Sequence, residues 1–502
     1  MDLDLVVKNG VIVTASEVLP TGQDIGIKDG KIVCIGSSLP QSQGTKVVDA
    51  QGGYITPGGV DSHVHLSQLN CPTGDNWETG SRSAIAGGTT TIIAFASQQK
   101  TDDSLIPVLK DYHGKCTGQS YTDYGFHFIL TKPNTTILDK ELPMLAKEEG
   151  ITSVKLYMTY EPMKLRDREL LDIMMACRGL GMTTMIHAEN SDMIDLIIER
   201  LEARGLTEPY YHALARPQLA ESEASYRAIC LAEAVDAPVL LVHMSSETAL
   251  EHVRAAQARL LPIHAETCPQ YLYLLSERLK GTKDDHYHGA KCVCSPPLKH
   301  EPADLDNVWK SVANGTITTF SSDHAPSKYY VEGGKRLGLI DGIPKFTKIP
   351  NGLPGVETRM PLLFDRAGNT EDGARITLPR FVQITATNPA KLYGLDGVKG
   401  SIAPGYDADL VIWSPEKKDS VIITNSMLHH DIDYTPYEGM TIKSWPRYTI
   451  LRGKIIWDRD NGGIVGEMGD GKYLKRKKGL VLNGRTGNRP KGMFEGEREH
   501  WL

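Results

Sequence analysis

No apolar run in this 502-residue chain approaches the ~18 residues that suggest a membrane-spanning helix, so a membrane partner is not expected. The first residues, Met1-Asp2-Leu3-Asp4, are acidic where a secretory leader carries positive charge. Cysteine is sparse: eight residues lie scattered along the whole length and outline no disulfide framework. Cys292 and Cys294 stand too close together for a zinc knuckle and have no matching pair. A reducing, cytoplasmic setting is expected. Positive charge is not in excess either; the net charge of −7 leaves no footprint for nucleic acid. A Gly-rich phosphate loop after an early strand is also missing, which argues against an open doubly wound sheet.

What is present is an ordinary globular balance, 40% hydrophobic and 23% charged, with length for a large core. Residues 1–54 read as short strands broken by hairpin signals at Asn9-Gly10 and Asp29-Gly30. From Tyr54 strands alternate with helices. Apolar strands are expected at 55–65, 89–96, 124–130, 153–158, 183–187, 238–244, 261–266 and 317–321. Helical stretches such as 167–178 and 221–235 separate most of them. The first helix has Asp75 as a possible cap, Glu78 three residues on, and Gly87-Gly88 at its end. Eight such units predict an α/β fold, a (β/α)8 TIM barrel over 55–391. After Pro389 the pattern returns to β character, and the phrase from Tyr448 to Trp457 echoes the N-terminal strands. Residues 1–54 and 392–470 are therefore expected to form one composite β-sandwich, with the barrel inserted. The basic segment 471–502 reads as a solvated arm or one packing on a neighbouring subunit.

Reactive groups of such barrels sit at the C-terminal ends of strands. Strand one, Val60-Asp61-Ser62-His63-Val64-His65, puts Asp61, His63 and His65 on one face through its period of two. Strand five ends in His187, strand six in His243, and strand eight runs into Asp323. Four imidazoles and a carboxylate at one mouth suit a divalent ion, zinc first. Strand four carries Lys155 inside Val154-Lys155-Leu156-Tyr157-Met158. A buried ammonium must find a partner or shift its pKa. It either pairs with a carboxylate or, as a neutral amine, adds carbon dioxide to give an anion long enough to bridge two cations.

The phrases Gly58-Gly59-Val60-Asp61-Ser62-His63-Val64-His65, Lys155-Leu156-Tyr157-Met158-Thr159-Tyr160, His187-Ala188-Glu189-Asn190, Glu266-Thr267-Cys268-Pro269-Gln270-Tyr271, Ser295-Pro296-Pro297, Ser322-Asp323-His324 and Asn351-Gly352-Leu353-Pro354-Gly355 resemble the dihydropyrimidinases and hydantoinases of the amidohydrolase superfamily. The resemblance runs from about residue 4 to 480. Asp433-Tyr434-Thr435-Pro436-Tyr437-Glu438-Gly439 adds a likeness to the fungal-like eukaryotic dihydropyrimidinases.

That resemblance implies two Zn2+ per chain. His63, His65 and Asp323 would hold one, His187 and His243 the other, with N6-carboxylated Lys155 and a hydroxide as bridges. Tyr160 would stabilise the oxyanion, Asp323 would shuttle the proton, and main-chain groups of Ser295 and Asn351 would hold the ring. The implied activity opens 5,6-dihydropyrimidines such as dihydrouracil and dihydrothymine to N-carbamoyl-β-amino acids. A hydantoinase or cyclic imidase with the same machinery is the alternative, and a non-catalytic interaction protein on the same fold the remote one. The family is commonly homotetrameric. Dihydroorotases, cousins with the same metal logic, place an arginine two residues after the second histidine, where this chain has Ser67. Leu66-Ser67-Gln68-Leu69 departs from relatives, and segment 328–349, rich in Gly and Lys, reads as a mobile lid.

Overall fold

A computed structural model describes residues 2–69, 71–369, 373–414 and 420–480. The last part of the arm, 481–502, lies outside them. Eight parallel strands stand in sequence order: β1 Gly59–Val64, β2 Thr89–Ser97, β3 Asp123–Ile129, β4 Ser153–Tyr157, β5 Thr183–His187, β6 Val239–Leu241, β7 Ile263–Thr267 and β8 Thr319–Phe320. The first and last meet through a parallel bridge between Val64 and His324, and the His65 amide donates to the His324 carbonyl at 2.8 Å. The sheet thus closes, and the (β/α)8 barrel stands. Leu156, Ile186, Val239, Leu241 and Ala265, all fully buried, join one core with helices Asp167–Leu180, Gln218–Val235 and Glu247–Ala258.

The strand expected at 55–65 is two strands in two sheets. Tyr54–Pro57 pairs antiparallel with Leu410–Trp413, and β1 begins only at Gly59. Gly58 makes the crossing possible, because a Cβ there would lie 2.2 Å from Thr90 Oγ1. A six-stranded sheet joins Val11–Ile12 and Tyr54–Pro57 to Leu410–Trp413, Pro446–Leu451, Lys454–Asp458 and Gly463–Ile464. A four-stranded sheet holds Leu5–Lys8, Asp24–Lys28, Lys31–Gly36 and Lys46–Asp49. Ile25, Ile27 and Ile32 share a core with Ile55, Leu410, Ile412 and Ile450, so both ends of the chain supply it.

The first helix, Trp77–Ala86, is capped by Asn76 and not by Asp75: Asn76 Oδ1 accepts from the Thr79 amide, and Thr79 Oγ1 receives the Asn76 amide. Asp75 is drawn away by His324 Nε2 at 3.0 Å and by the Asp431 amide. The start of the basic arm keeps Lys472, Lys475, Lys477 and Lys478 exposed while its backbone packs on the barrel. Its main chain pairs with Tyr124, Gly150 and Gly394 of its own chain, and buried Arg476 donates to Ser153 Oγ at 3.0 Å and to the Phe126 carbonyl. Segment 328–349 is likewise tied down. Tyr329, Lys335 and Phe346 are buried within it, and Asp433 accepts from the amides of Tyr329 and Tyr330.

Candidate metal centre

The strand ends bring the expected ligands together. His63 is the fifth residue of β1, Lys155 the third of β4 and His187 the last of β5. His65, His243 and Asp323 lie just beyond their strands. His243 and Asp323 take left-handed backbone angles, φ +41° and +48°, as does Tyr160 at +66°. A non-glycine residue held there costs about 1–3 kcal/mol, a cost typical of sites where side-chain aim matters more than relaxed backbone.

His63 Nε2 lies 3.1 Å and His65 Nε2 3.6 Å from Asp323 Oδ1. Ligand atoms of these three residues all fall within 4.8 Å of one another. His187 Nδ1 faces His243 Nε2 at 2.9 Å, and Lys155 Nζ faces His63 Nε2 at 3.4 Å.

Outer partners fix which nitrogen points inward. His63 Nδ1 is 2.6 Å from Glu266 Oε1, His65 Nδ1 is 3.1 Å from Gln68 Oε1, and His187 Nε2 is 2.6 Å from Glu189 Oε2. Each outer N–H has an acceptor, so each inner nitrogen presents a lone pair to the cavity. Burial holds His63, His187 and His243 below the ordinary imidazole pKa, the neutral form that a metal needs. Burial also pulls the Lys155 ammonium down to about 8. Burial raises the Asp323 carboxyl, but His63, His65 and Lys155 outweigh it and leave it below its usual value. The donor set therefore fits divalent metal: inward lone pairs, one carboxylate, and a buried amine with no carboxylate in ion-pair contact among the described residues.

The histidines, Lys155 and Asp323 open into a cavity of about 400 Å³. Tyr160, Ser295 and Asn351 line it too, with Asn351 Nδ2 3.4 Å from the Tyr160 hydroxyl. β4 ends three residues before Tyr160, which frees that side chain from the strand's alternation. The Arg216 guanidinium lies 5.1 Å from the Tyr160 ring centre and 2.8 Å from Glu189, which in turn holds His187. Arg216 and His187 outweigh burial at Glu189 and bring its carboxyl to about 2.

Sequence reasoning missed Glu266, Glu189, Gln68 and Arg216. Glu266 and Glu189 carried a readable signal, since one stands near the end of β7 and the other two residues past His187. Gln68 and Arg216 sit on loop and helix-end positions with no periodic mark. Spacing alone put Asp61 on the face of His63 and His65, but a bulge between Asp61 and Val64 breaks the alternation and sets Asp61 in register with Ile92 of the outer core, away from the ligand face. It serves the barrel instead, with Oδ1 accepting from the Ser322 amide and Oδ2 3.3 Å from Arg359 Nε.

The chain is 41% identical over 479 residues to a D-hydantoinase of Ralstonia pickettii, covering 95% of this chain and 99% of that one. It is 40% identical to a D-hydantoinase of Geobacillus stearothermophilus, covering 94% and 96%. The crystal structure of dihydropyrimidinase from Brevibacillus agri NCHU1002 superposes with a TM-score of 0.87 at 37% identity, over 94% of this chain and 99% of that one. Residues 54–456 match the Amidohydrolase family. With a closed barrel that gathers candidate ligands at its strand ends and a match across most of its length, the chain belongs to the amidohydrolase family.

Proposed function

We propose that this protein is a metal-dependent hydrolase that opens small neutral cyclic amides, with 5,6-dihydropyrimidines as its first substrates and hydantoins as the second reading. The observation that carries it is the convergence of His63, His65, His187, His243, Lys155 and Asp323 on one cavity that Tyr160 and Asn351 also line. Hydantoins enter because the similar proteins include D-hydantoinases as well as a dihydropyrimidinase. Both rings carry the same imide and urea units, so one machinery serves both.

His63, His65 and Asp323 would hold one zinc ion, and His187 with His243 the other, with N6-carboxylated Lys155 shared between them. Dications there would lower the pKa of water towards neutrality and polarise a ring carbonyl. An amine with a pKa near 8 keeps a useful neutral fraction at physiological pH, the form that adds carbon dioxide and releases a proton.

Asp323 accepts the proton of the attacking water and returns it to the departing ring nitrogen. The Tyr160 hydroxyl donates to the oxyanion. Burial pushes its pKa up to about 12, so it stays protonated and able to donate. Main-chain groups of Ser295 and Asn351 orient the ring between Tyr160 and the ligands.

The same reading makes the protein a cytoplasmic homotetramer. Leu196, Leu219 and Tyr226 stand exposed on helices Ser191–Glu202 and Gln218–Val235, apolar surface that a second copy would cover. No helix among the described residues is long and apolar enough to cross a membrane.

One panel tests the function. Zinc-loaded protein is assayed on dihydrouracil, dihydrothymine, hydantoin and succinimide, with ring opening followed in the ultraviolet. Turnover of dihydrouracil above the other rings supports the first reading, and a preference for hydantoin selects the second. No turnover of any ring would sink both.

A further inference from the structure

Lys335 is fully buried in the short helix Lys335–Gly338, in the middle of segment 328–349. Its ammonium meets three carbonyl oxygens: Pro350 at 2.6 Å, Gly352 at 2.8 Å and Val293 at 3.1 Å. An ammonium has three N–H donors, so the set is complete. Among the described residues no carboxylate lies within ion-pair distance of it. A lysine buried without a counter-charge is rare, because desolvating the ammonium is costly. Here the whole charge is solvated by main chain.

The choice of carbonyls is informative. Pro350 and Gly352 flank Asn351, and Val293 precedes Ser295 by two residues. The Val293 carbonyl also accepts the Gly352 amide at 3.0 Å, so the two loops are already hydrogen-bonded to each other. Gly352 sits at φ +119°, where an added Cβ would come 2.0 Å from the Ala325 carbonyl oxygen. The two loops therefore meet at this junction. The helix itself is held from the other side, where the Tyr287 hydroxyl donates to the Lys335 carbonyl at 2.7 Å.

We infer that Lys335 is a positioning residue for the substrate ring: its ammonium clamps the two loops whose Ser295 and Asn351 line the cavity that the candidate ligands also line. The inference rests on the cyclic amide reading above. It assigns segment 328–349 a part in ring binding through a contact that never touches the ring. Groups that grip the ring alike in ground and transition states act on KM, whereas loss of a ligand or of Tyr160 acts on kcat.

The test compares Lys335→Met and Lys335→Gln with Tyr287→Phe, all zinc-loaded, on whichever ring the wild-type chain opens best. Metal content, thermal midpoint, kcat and KM are measured for each. Lys335→Met is expected to raise KM by about tenfold or more, with kcat within about threefold and metal content unchanged. Lys335→Gln keeps two donors and should recover part of that loss. Tyr287→Phe leaves the three carbonyl contacts in place and should hold KM within about twofold. An unchanged KM in Lys335→Met overturns the inference. So does a joint loss of metal, kcat and stability, or failure of both Lys335 variants to fold, since either marks a residue of the fold rather than of the ring site. A wild-type chain that opens no ring fails the cyclic amide reading instead, a result visible before any variant is made.

Discussion

Lys155 Nζ and His63 Nε2 face each other across 3.4 Å, two basic nitrogens at the centre of a site that holds only one clear carboxylate ligand. Because His63 gives its outer N–H to Glu266, its Nε2 is a lone pair, and among the described residues the amine is the donor that points at it. Converting that amine to a carbamate replaces a donor with an anion and supplies the negative charge that two dications need.

Lys155→Ala is accordingly expected to lose nearly all activity and at least one metal ion per chain. Metal analysis of the purified variant beside the wild type checks this. Two zinc ions retained with most of the turnover would remove Lys155 from the ligand set.

Tyr160→Phe should keep the metal content and lower kcat by roughly a hundredfold or more, the size typical of a lost oxyanion donor. The ring keeps its packing against His187 and beneath Arg216, so the fold should be indifferent. Steady-state kinetics with a matched thermal melt separate the two effects, and a loss of tenfold or less would leave Tyr160 a packing residue.

Charge on the ring should be strongly disfavoured. The Ser67 amide donates to the Asp75 carbonyl at 2.9 Å, and the residue does not line the cavity. The lysines that do line it are Lys155, which the proposal assigns to the metal centre, and exposed Lys348. A carboxylate left without a partner costs about 3–5 kcal/mol, so kcat/KM for dihydroorotate should fall at least about a hundredfold below that for dihydrouracil. Comparable values for the two would mean that Lys348 reaches the ring's carboxylate and would defeat this prediction.

Acid sensitivity has an address. Burial pulls His212 from 6.5 down to about 3, while its Nε2 lies 2.9 Å from the Cys294 carbonyl. Between those two pH values the unfolded chain binds a proton at this residue that the folded chain refuses. Stability is therefore lost as pH falls below 6.5, by about 1.4 kcal/mol per pH unit for one group. His212→Gln should flatten the acid limb of a denaturation-against-pH curve by that slope. An unchanged slope would mean that His212 titrates normally in the fold.

The barrel and the gathering of the candidate ligands were legible because both are periodic: strands recur at barrel spacing, and most of the candidates fall at or just past a strand end. What was illegible depends on contacts between distant segments. Nothing local in Tyr54–Pro57 announces that it pairs with Leu410–Trp413. Asp75 has the chemistry of a helix cap, but His324, far away in sequence, competes for it and Asn76 takes the cap. The lysines of the arm are solvated as their composition suggests, but nothing local marks Arg476 as the residue that donates to Ser153 at the start of β4. The glycines and lysines of 328–349 suggested mobility, yet Lys335 owes its burial to three carbonyls that no local pattern foretells.

The break at Gly58 also sets an order of assembly. β1, which carries His63, continues directly from a strand whose partner is Leu410–Trp413, and the barrel interior is packed by Leu392, Tyr393 and Leu395 and braced by Arg476, all late in the chain. During synthesis at about 5–20 residues per second, the first ligands leave the ribosome tens of seconds before those partners exist. Through that interval β1 has neither its neighbouring sheet nor its floor. The proposed metal centre is begun early and framed late, so a chain cut between Asp323 and Arg476 carries every candidate ligand and still lacks part of the frame around them.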